Sequence, residues 1–107
     1  MIFSVSVRHE ADRSVLVLEG ELDMATVGVF ETALNELELS ARTIVLDLGL
    51  LDFVDCSGLH SFIAANKRVA SSGGRLMFTR GPRQINRLFS LMRLDTLFEF
   101  VEDAIPA

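Results

Sequence analysis

The chain switches repeatedly between two hydrophobic periodicities, and these switches predict its elements. Apolar residues at positions 3, 5 and 7 alternate with polar ones, which is typical of a strand with one face in the core. Residues 14–19 form a second strand-like run, and the polar residues 9–13 between the two runs predict a hairpin turn. Gly20 is expected to end the second strand, because glycine permits a tight change of backbone direction.

Three later segments repeat their apolar residues every three or four positions, which predicts three amphipathic helices. Asp23 is a candidate N-cap for the first helix, and Pro82 is expected at the first position of the third. Glycine at position 73 is expected to close the second helix. The predicted inner faces are Val27, Phe30, Leu34 and Leu37, then Leu59, Phe62, Ile63 and Val69, then Ile85, Leu88, Phe89 and Met92.

Short β-branched and apolar runs separate the helices and complete the expected fold. Residues 43–48 predict a buried strand, residues 75–79 a fourth strand and residues 97–101 a short last one. The resulting order, β-β-α-β-α-β-α-β, is typical of a small α/β domain whose mixed sheet is largely parallel with one antiparallel edge. Residues 40–42 predict a short link, and residues 102–107 a ragged end.

The junction between the third strand and the second helix carries the candidate chemistry. At a helix start, free backbone N–H groups present the positive end of the helix dipole. An oxygen of Asp55 or Ser57 could cap the helix there, and a phosphate on Ser57 would be favourably placed. Residues 20–23 and 52–58 both follow predicted strand ends, so they are expected to share one rim of the sheet.

Composition narrows the class of protein. The length of 107 residues predicts one domain over residues 1–107, and one cysteine gives neither a disulfide framework nor a zinc site. The start does not resemble a signal peptide and no apolar run is of bilayer length, so a soluble cytoplasmic protein is expected.

The net charge of −5 disfavours nucleic-acid binding. Residues 56–94 nevertheless contain seven Lys and Arg and no acid, which indicates a solvated face or one for an acidic partner.

Enzymatic and metal chemistry are disfavoured. Ser57 and His60 could form a nucleophile–base pair, but the Gly-x-Ser-x-Gly elbow of such hydrolases is missing. Cys56 is expected to act as a small hydrophobe rather than as a reactive thiol. No cofactor motif is present, and the spacing of four aspartates fits no metal loop: Asp23, Asp47, Asp52 and Asp55. Ser57 is left either as a helix cap or as a phosphoacceptor.

Several segments together resemble the STAS domain family, in particular its small single-domain bacterial anti-sigma factor antagonists. They read Gly-Glu-Leu-Asp at 20–23, Ile-Val-Leu-Asp-Leu at 44–48, Phe-Val-Asp-Cys-Ser-Gly-Leu at 53–59, Gly-Gly-Arg-Leu at 73–76 and Leu-Phe at 88–89. The resemblance covers nearly the whole chain in order. It implies that the helices pack mainly on one face of the mixed sheet.

The resemblance also implies a non-catalytic function that needs no cofactor or metal. Members of the family bind an anti-sigma factor, often a serine kinase, and so free a sigma factor. Carried over by position, Ser57 is the phosphoacceptor; its phosphorylation would release the partner, and a PP2C-type phosphatase would restore binding. The partner-binding rim would consist of Asp23, Asp55, Cys56, Ser57, Gly58 and Leu59.

One residue departs from the family pattern, and one alternative stays open. Position 56 is usually Ser or Thr in this family, whereas this chain has Cys56. Other family members are constitutive subunits of transport or stress-sensing assemblies. In that alternative the chain is an unregulated scaffold and Ser57 only caps a helix.

Overall fold

The computed structural model describes residues 2–37 and 43–101, so the predicted link at 40–42 and the end at 102–107 lie outside the described residues. The strands are β1 (Ser4–His9), β2 (Arg13–Leu22), β3 (Thr43–Val54), β4 (Arg75–Phe78) and β5 (Glu99–Phe100). The helices are α1 (Val27–Asn35), α2 (Cys56–Ser71), α3 (Arg83–Leu91) and α4 (Leu94–Leu97). None of the described helices is both long and apolar enough to span a membrane.

The described strands form one sheet in the order β1-β2-β3-β4-β5. β1 pairs antiparallel with β2 and the other neighbours pair parallel, which confirms the predicted mixed sheet. Every crossover moves the chain one strand in the same direction, and right-handed crossovers of that kind place their helices on the same face. In the part of the chain that the structure describes, the fold therefore has one helical layer and leaves the other sheet face without helices.

Aromatic rings occupy the centre of the core between the sheet and the helices. Phe62 on α2 has no exposed surface, and its ring centroid lies 5.4 Å from that of Phe30, 5.5 Å from Phe78 and 6.2 Å from Phe89. These contacts are edge-to-face, which suits the charge distribution of aromatic rings. Phe62 therefore joins α1, β4 and α3 in one hydrophobic core.

β2 runs to Leu22, past its predicted end at Gly20. Gly20 has a φ of +103°, and a Cβ on it would lie 2.4 Å from the carbonyl oxygen of Ile2. Glycine is required there both for its backbone conformation and for this close approach. The residue thus accommodates the N-terminal segment without ending the strand.

β3 runs to Val54, whereas the sequence pattern predicted an end at Leu48. Its pairing with β2 shifts register twice, and each shift inserts one extra residue into β3 as a bulge. The inward residues consequently change spacing from two to three, and Leu48, Leu51 and Val54 all reach the core. A strict alternation of apolar and polar positions could not reveal this extension.

The C-terminal part departs further from the prediction. α3 begins at Arg83, with Pro82 as its N-cap rather than its first helical residue, and Met92 is exposed rather than buried. α4 takes up the predicted start of the last strand, so β5 is only two residues long. The ring of Phe98 stacks on Phe78 with centroids 4.3 Å apart, and this tertiary contact overrides the local strand pattern.

Candidate functional site

The ends of β2 and β3 meet the start of α2 at one rim of the sheet. The Asp55 backbone N–H donates to the Leu22 carbonyl oxygen at 3.1 Å, which ties the two segments together. Asp23 directly follows Leu22, and Ser57 lies one residue beyond Cys56 in the first turn of α2. The structure therefore brings the two predicted rim segments into one place.

Asp55 caps α2. Its carboxylate accepts the Gly58 backbone N–H at 3.1 Å, and its own backbone is extended, as is usual for an N-cap residue. The Leu59 N–H donates to the Asp55 carbonyl oxygen and closes the first turn. Of the two candidates that the sequence offered, the capping oxygen thus comes from Asp55 and not from Ser57.

Gly58 allows α2 to begin directly against the strand ends. A Cβ at this position would lie 2.5 Å from Val54 Cγ2 and 3.0 Å from Leu22 Cδ2, both of which belong to buried side chains. Absence of a side chain therefore permits the close packing of the first helical turn on β2 and β3. This contact fixes where the Ser57 side chain stands relative to the rim.

The two neighbouring side chains of the turn differ in accessibility. Cys56 is exposed, whereas Ser57 is half-buried. Both lie in the first turn of a 16-residue helix, where unpaired backbone N–H groups favour a negative charge. A phosphate on Ser57 would therefore gain from the helix start rather than unfold it.

Asp23 organises the turn that leads into α1. Its Oδ1 atom accepts the backbone N–H groups of Ala25 and Thr26 at 3.0 and 3.1 Å. The N-cap residue of α1 is Thr26, whose hydroxyl donates to the Glu21 carbonyl oxygen at 2.8 Å. Asp23 therefore caps the preceding turn rather than the helix that the sequence assigned to it.

The alternative chemistries gain no geometric support. His60 is exposed, and no hydrogen bond joins it to Ser57 among the described residues. Within the same residues, no group of three potential ligands comes close enough to hold a metal ion.

Several basic residues of the long acid-free stretch have intramolecular partners. Arg68 hydrogen-bonds Asn35, and Arg80 lies 3.9 Å above the ring of Phe100. Arg75 donates to Glu99 across β4 and β5, and this hydrogen bond lowers the pKa of the Glu99 carboxyl and raises that of Arg75. The exposed cations that remain for an acidic partner are Lys67, Arg83, Arg87 and Arg93.

Sequence reasoning missed two features beside the rim. Thr79, which follows β4, accepts the buried Leu48 N–H at 2.9 Å and lies 3.2 Å from Asp47 Oδ1. Leu50 and Phe53, which lie at the bulges of β3 beyond the predicted strand, are 54% and 48% exposed. Only the strand register, which depends on the paired partner strand, distinguishes these residues from their buried neighbours.

Comparison with known proteins agrees with this fold. The family model described as the Mlab, STAS domain matches residues 5–102. An anti-sigma factor antagonist from Mycobacterium paratuberculosis superposes with a TM-score of 0.80 and 25% identity over 95% of this chain and 87% of that one. The unphosphorylated form of the anti-sigma factor antagonist SpoIIAA superposes with a TM-score of 0.64 and 19% identity over 96% and 90% of the two chains.

A similar unit also occurs inside a larger protein. Part of a structure named Mglu superposes with a TM-score of 0.67 and 28% identity, over 73% of this chain but only 20% of that chain. Similar folds thus occur both in small antagonists and in part of a longer chain. The match of the family model over nearly the whole sequence shows that this chain belongs to the STAS domain family.

Proposed function

We propose that this protein is an anti-sigma factor antagonist, a non-catalytic binding protein that captures an anti-sigma factor and so frees a sigma factor. The observation that supports the proposal is the hydrogen bond from the Asp55 N–H to the Leu22 carbonyl oxygen, which joins the segment that contains Ser57 to the segment that contains Asp23. The similarity to the antagonist from Mycobacterium paratuberculosis supports the same class of partner.

Phosphorylation of Ser57 by that anti-sigma factor, acting as a serine kinase, would switch binding off. A phosphate adds about two negative charges at the rim. In a kinase the acceptor hydroxyl faces the terminal phosphate of ATP, so the phosphorylated side chain then faces the phosphates that remain on the nucleotide. Repulsion and added bulk oppose the complex, while the start of α2 keeps the modified domain folded. A PP2C-type phosphatase would reverse the change.

The test is an intact-mass measurement after incubation with ATP and a candidate anti-sigma kinase. We expect the mass of one phosphate on the wild type and none on Ser57→Ala. Ser71→Ala, at the exposed far end of α2, is the matched control and should still take the phosphate. Ser57→Asp should bind the kinase more weakly than Ser57→Ala. Equal binding by wild type, Ser57→Ala and Ser57→Asp would exclude the switch.

A second candidate function is an unregulated binding module of a larger assembly. It is favoured by the exposed thiol of Cys56, which a serine kinase cannot phosphorylate, beside a Ser57 hydroxyl that is half-buried.

Cys56→Ser separates the two candidates, because it places a hydroxyl at the accessible position. If the wild type takes no phosphate and Cys56→Ser does, the rim fits a kinase but the native chain is not switched. If the wild type is already phosphorylated on Ser57, the regulated function stands.

A further inference from the structure

The bulged end of β3 exposes two large apolar side chains beside the rim. Leu50 pairs with Glu19 and Phe53 pairs with Glu21, both on the neighbouring strand β2. Because Glu19 and Glu21 are two residues apart on one strand, about 7 Å, Leu50 and Phe53 lie next to each other on one face of the ribbon. Both lie between the inward residues Leu48, Leu51 and Val54, and both are exposed. This pair, the Leu50–Phe53 patch, therefore lies on the sheet face opposite the described helices.

The two strand ends that border the patch are acidic. Residues 19–24 and 49–55, which form the two strand ends, contain five carboxylates and no Lys, Arg or His. These carboxylates belong to Glu19, Glu21, Asp23, Asp52 and Asp55. Arg83, at the start of α3, directly precedes Gln84, whose side chain contacts Asp52 at one end of this border. A surface that buries the patch must therefore neutralise acids on several sides of it.

The patch is continuous with the rim assigned to partner binding. Asp55, which caps α2, follows Phe53 after a single residue, and Gln84 of α3 donates to the Asp52 carbonyl oxygen at 3.4 Å. Exposed aromatic and aliphatic side chains inside a polar border are the usual energetic centre of a protein interface. The patch and the rim therefore adjoin each other, and we expect one partner to contact both.

We propose that the anti-sigma factor binds the Leu50–Phe53 patch with an apolar cleft bordered by Lys and Arg. The inference rests on the proposed function and extends it, because it places the main binding contact on Leu50 and Phe53, next to the turn that carries Ser57 but not on that turn. Docking and switching are then separate: apolar burial and charge hold the complex, and Ser57 controls its release.

The test is the Kd of the anti-sigma factor that binds the wild-type chain, measured by titration calorimetry. Phe53→Ser should weaken binding about tenfold or more, and Leu50→Ser should weaken it to a smaller extent. Met92→Ser and Leu97→Ser are matched controls, since these residues are 54% and 51% exposed at the end of α3 and on α4. They should leave Kd unchanged, and circular dichroism should show all four variants folded.

The charge of the border has its own readout. Glu21→Gln should weaken binding at low salt and reduce the dependence of Kd on salt concentration. Wild-type affinity that does not change with salt would contradict a basic border on the partner.

The outcomes separate the two proposals. If the wild type binds an anti-sigma factor and Phe53→Ser binds equally well, the docking surface is wrong while the proposed function stands. If Met92→Ser or Leu97→Ser weakens binding as much as Phe53→Ser, the partner binds the surface that carries Met92 and Leu97. The assignment of the Leu50–Phe53 patch as the docking surface is then wrong. If no anti-sigma factor binds the wild type, the proposed function fails and the docking inference fails with it.

Discussion

At the scale of single residues, the rim depends on a glycine that lets α2 pack closely against the strands. Gly58 has buried side chains of β2 and β3 within 3.0 Å of where its Cβ would stand. Gly28, in the first turn of α1, has nothing within 4 Å of the equivalent position. The two helical glycines therefore have different roles, although the sequence presents them alike.

Replacing these glycines by alanine should shift stability in opposite directions. Gly58→Ala should reduce the free energy of unfolding by about 1–3 kcal/mol. The new methyl group would displace Val54, whose β-branched side chain has few alternative χ1 rotamers. Gly28→Ala should raise it by about 0.4–1 kcal/mol, because alanine restricts the unfolded chain and favours helix. Urea unfolding followed by circular dichroism measures both. Equal effects of the two substitutions would contradict the packing assigned to Gly58.

At the scale of elements, the bulged β3 strand depends on a side chain that substitutes for a missing backbone partner. β4 ends at Phe78, so Leu48 has no strand partner for its N–H and donates to the Thr79 hydroxyl instead. Asp47 holds the same region, because its Oδ1 atom accepts the Gly49 N–H at 2.9 Å and lies within hydrogen-bonding distance of Thr79 Oγ1. These bonds satisfy the backbone where β3 extends past the end of β4.

Thr79→Val should therefore lower the free energy of unfolding by about 1–3 kcal/mol, because it leaves the buried Leu48 N–H without an acceptor. Thr79→Ser keeps the hydroxyl and should cost much less. Amide hydrogen exchange gives a second readout, since the Leu48 amide should lose protection in Thr79→Val. Unchanged protection at Leu48 would show that this hydrogen bond does not stabilise the bulge.

At the scale of the whole molecule, the described helices pack on one face of the sheet and share one hydrophobic core. Phe62 lies at the centre of that core with no exposed surface, whereas Phe53 is 48% exposed on the helix-free side. The same side-chain type thus serves stability in one place and, in our proposal, binding in the other.

Phe62→Ala should lower the free energy of unfolding by about 3–5 kcal/mol, through lost burial and the cavity that remains. That loss is a large share of the total stability of a small domain. Phe53→Ala should change stability far less, because its ring is half in solvent. Denaturant unfolding of the two variants makes the comparison, and similar losses in both would mean that Phe53 belongs to the core.

From the sequence alone follow the order of the five strands and of the first three helices, the mixed sheet, most of the inner helix faces and the junction at Ser57. These follow from local periodicity and from residue types whose preferences do not depend on distant partners. The bulges that extend β3, the close contact of Gly58 and the exposure of Leu50 and Phe53 emerged only in the folded structure. Each of these depends on register or contact between segments far apart in the chain, which no local pattern of hydrophobic residues encodes.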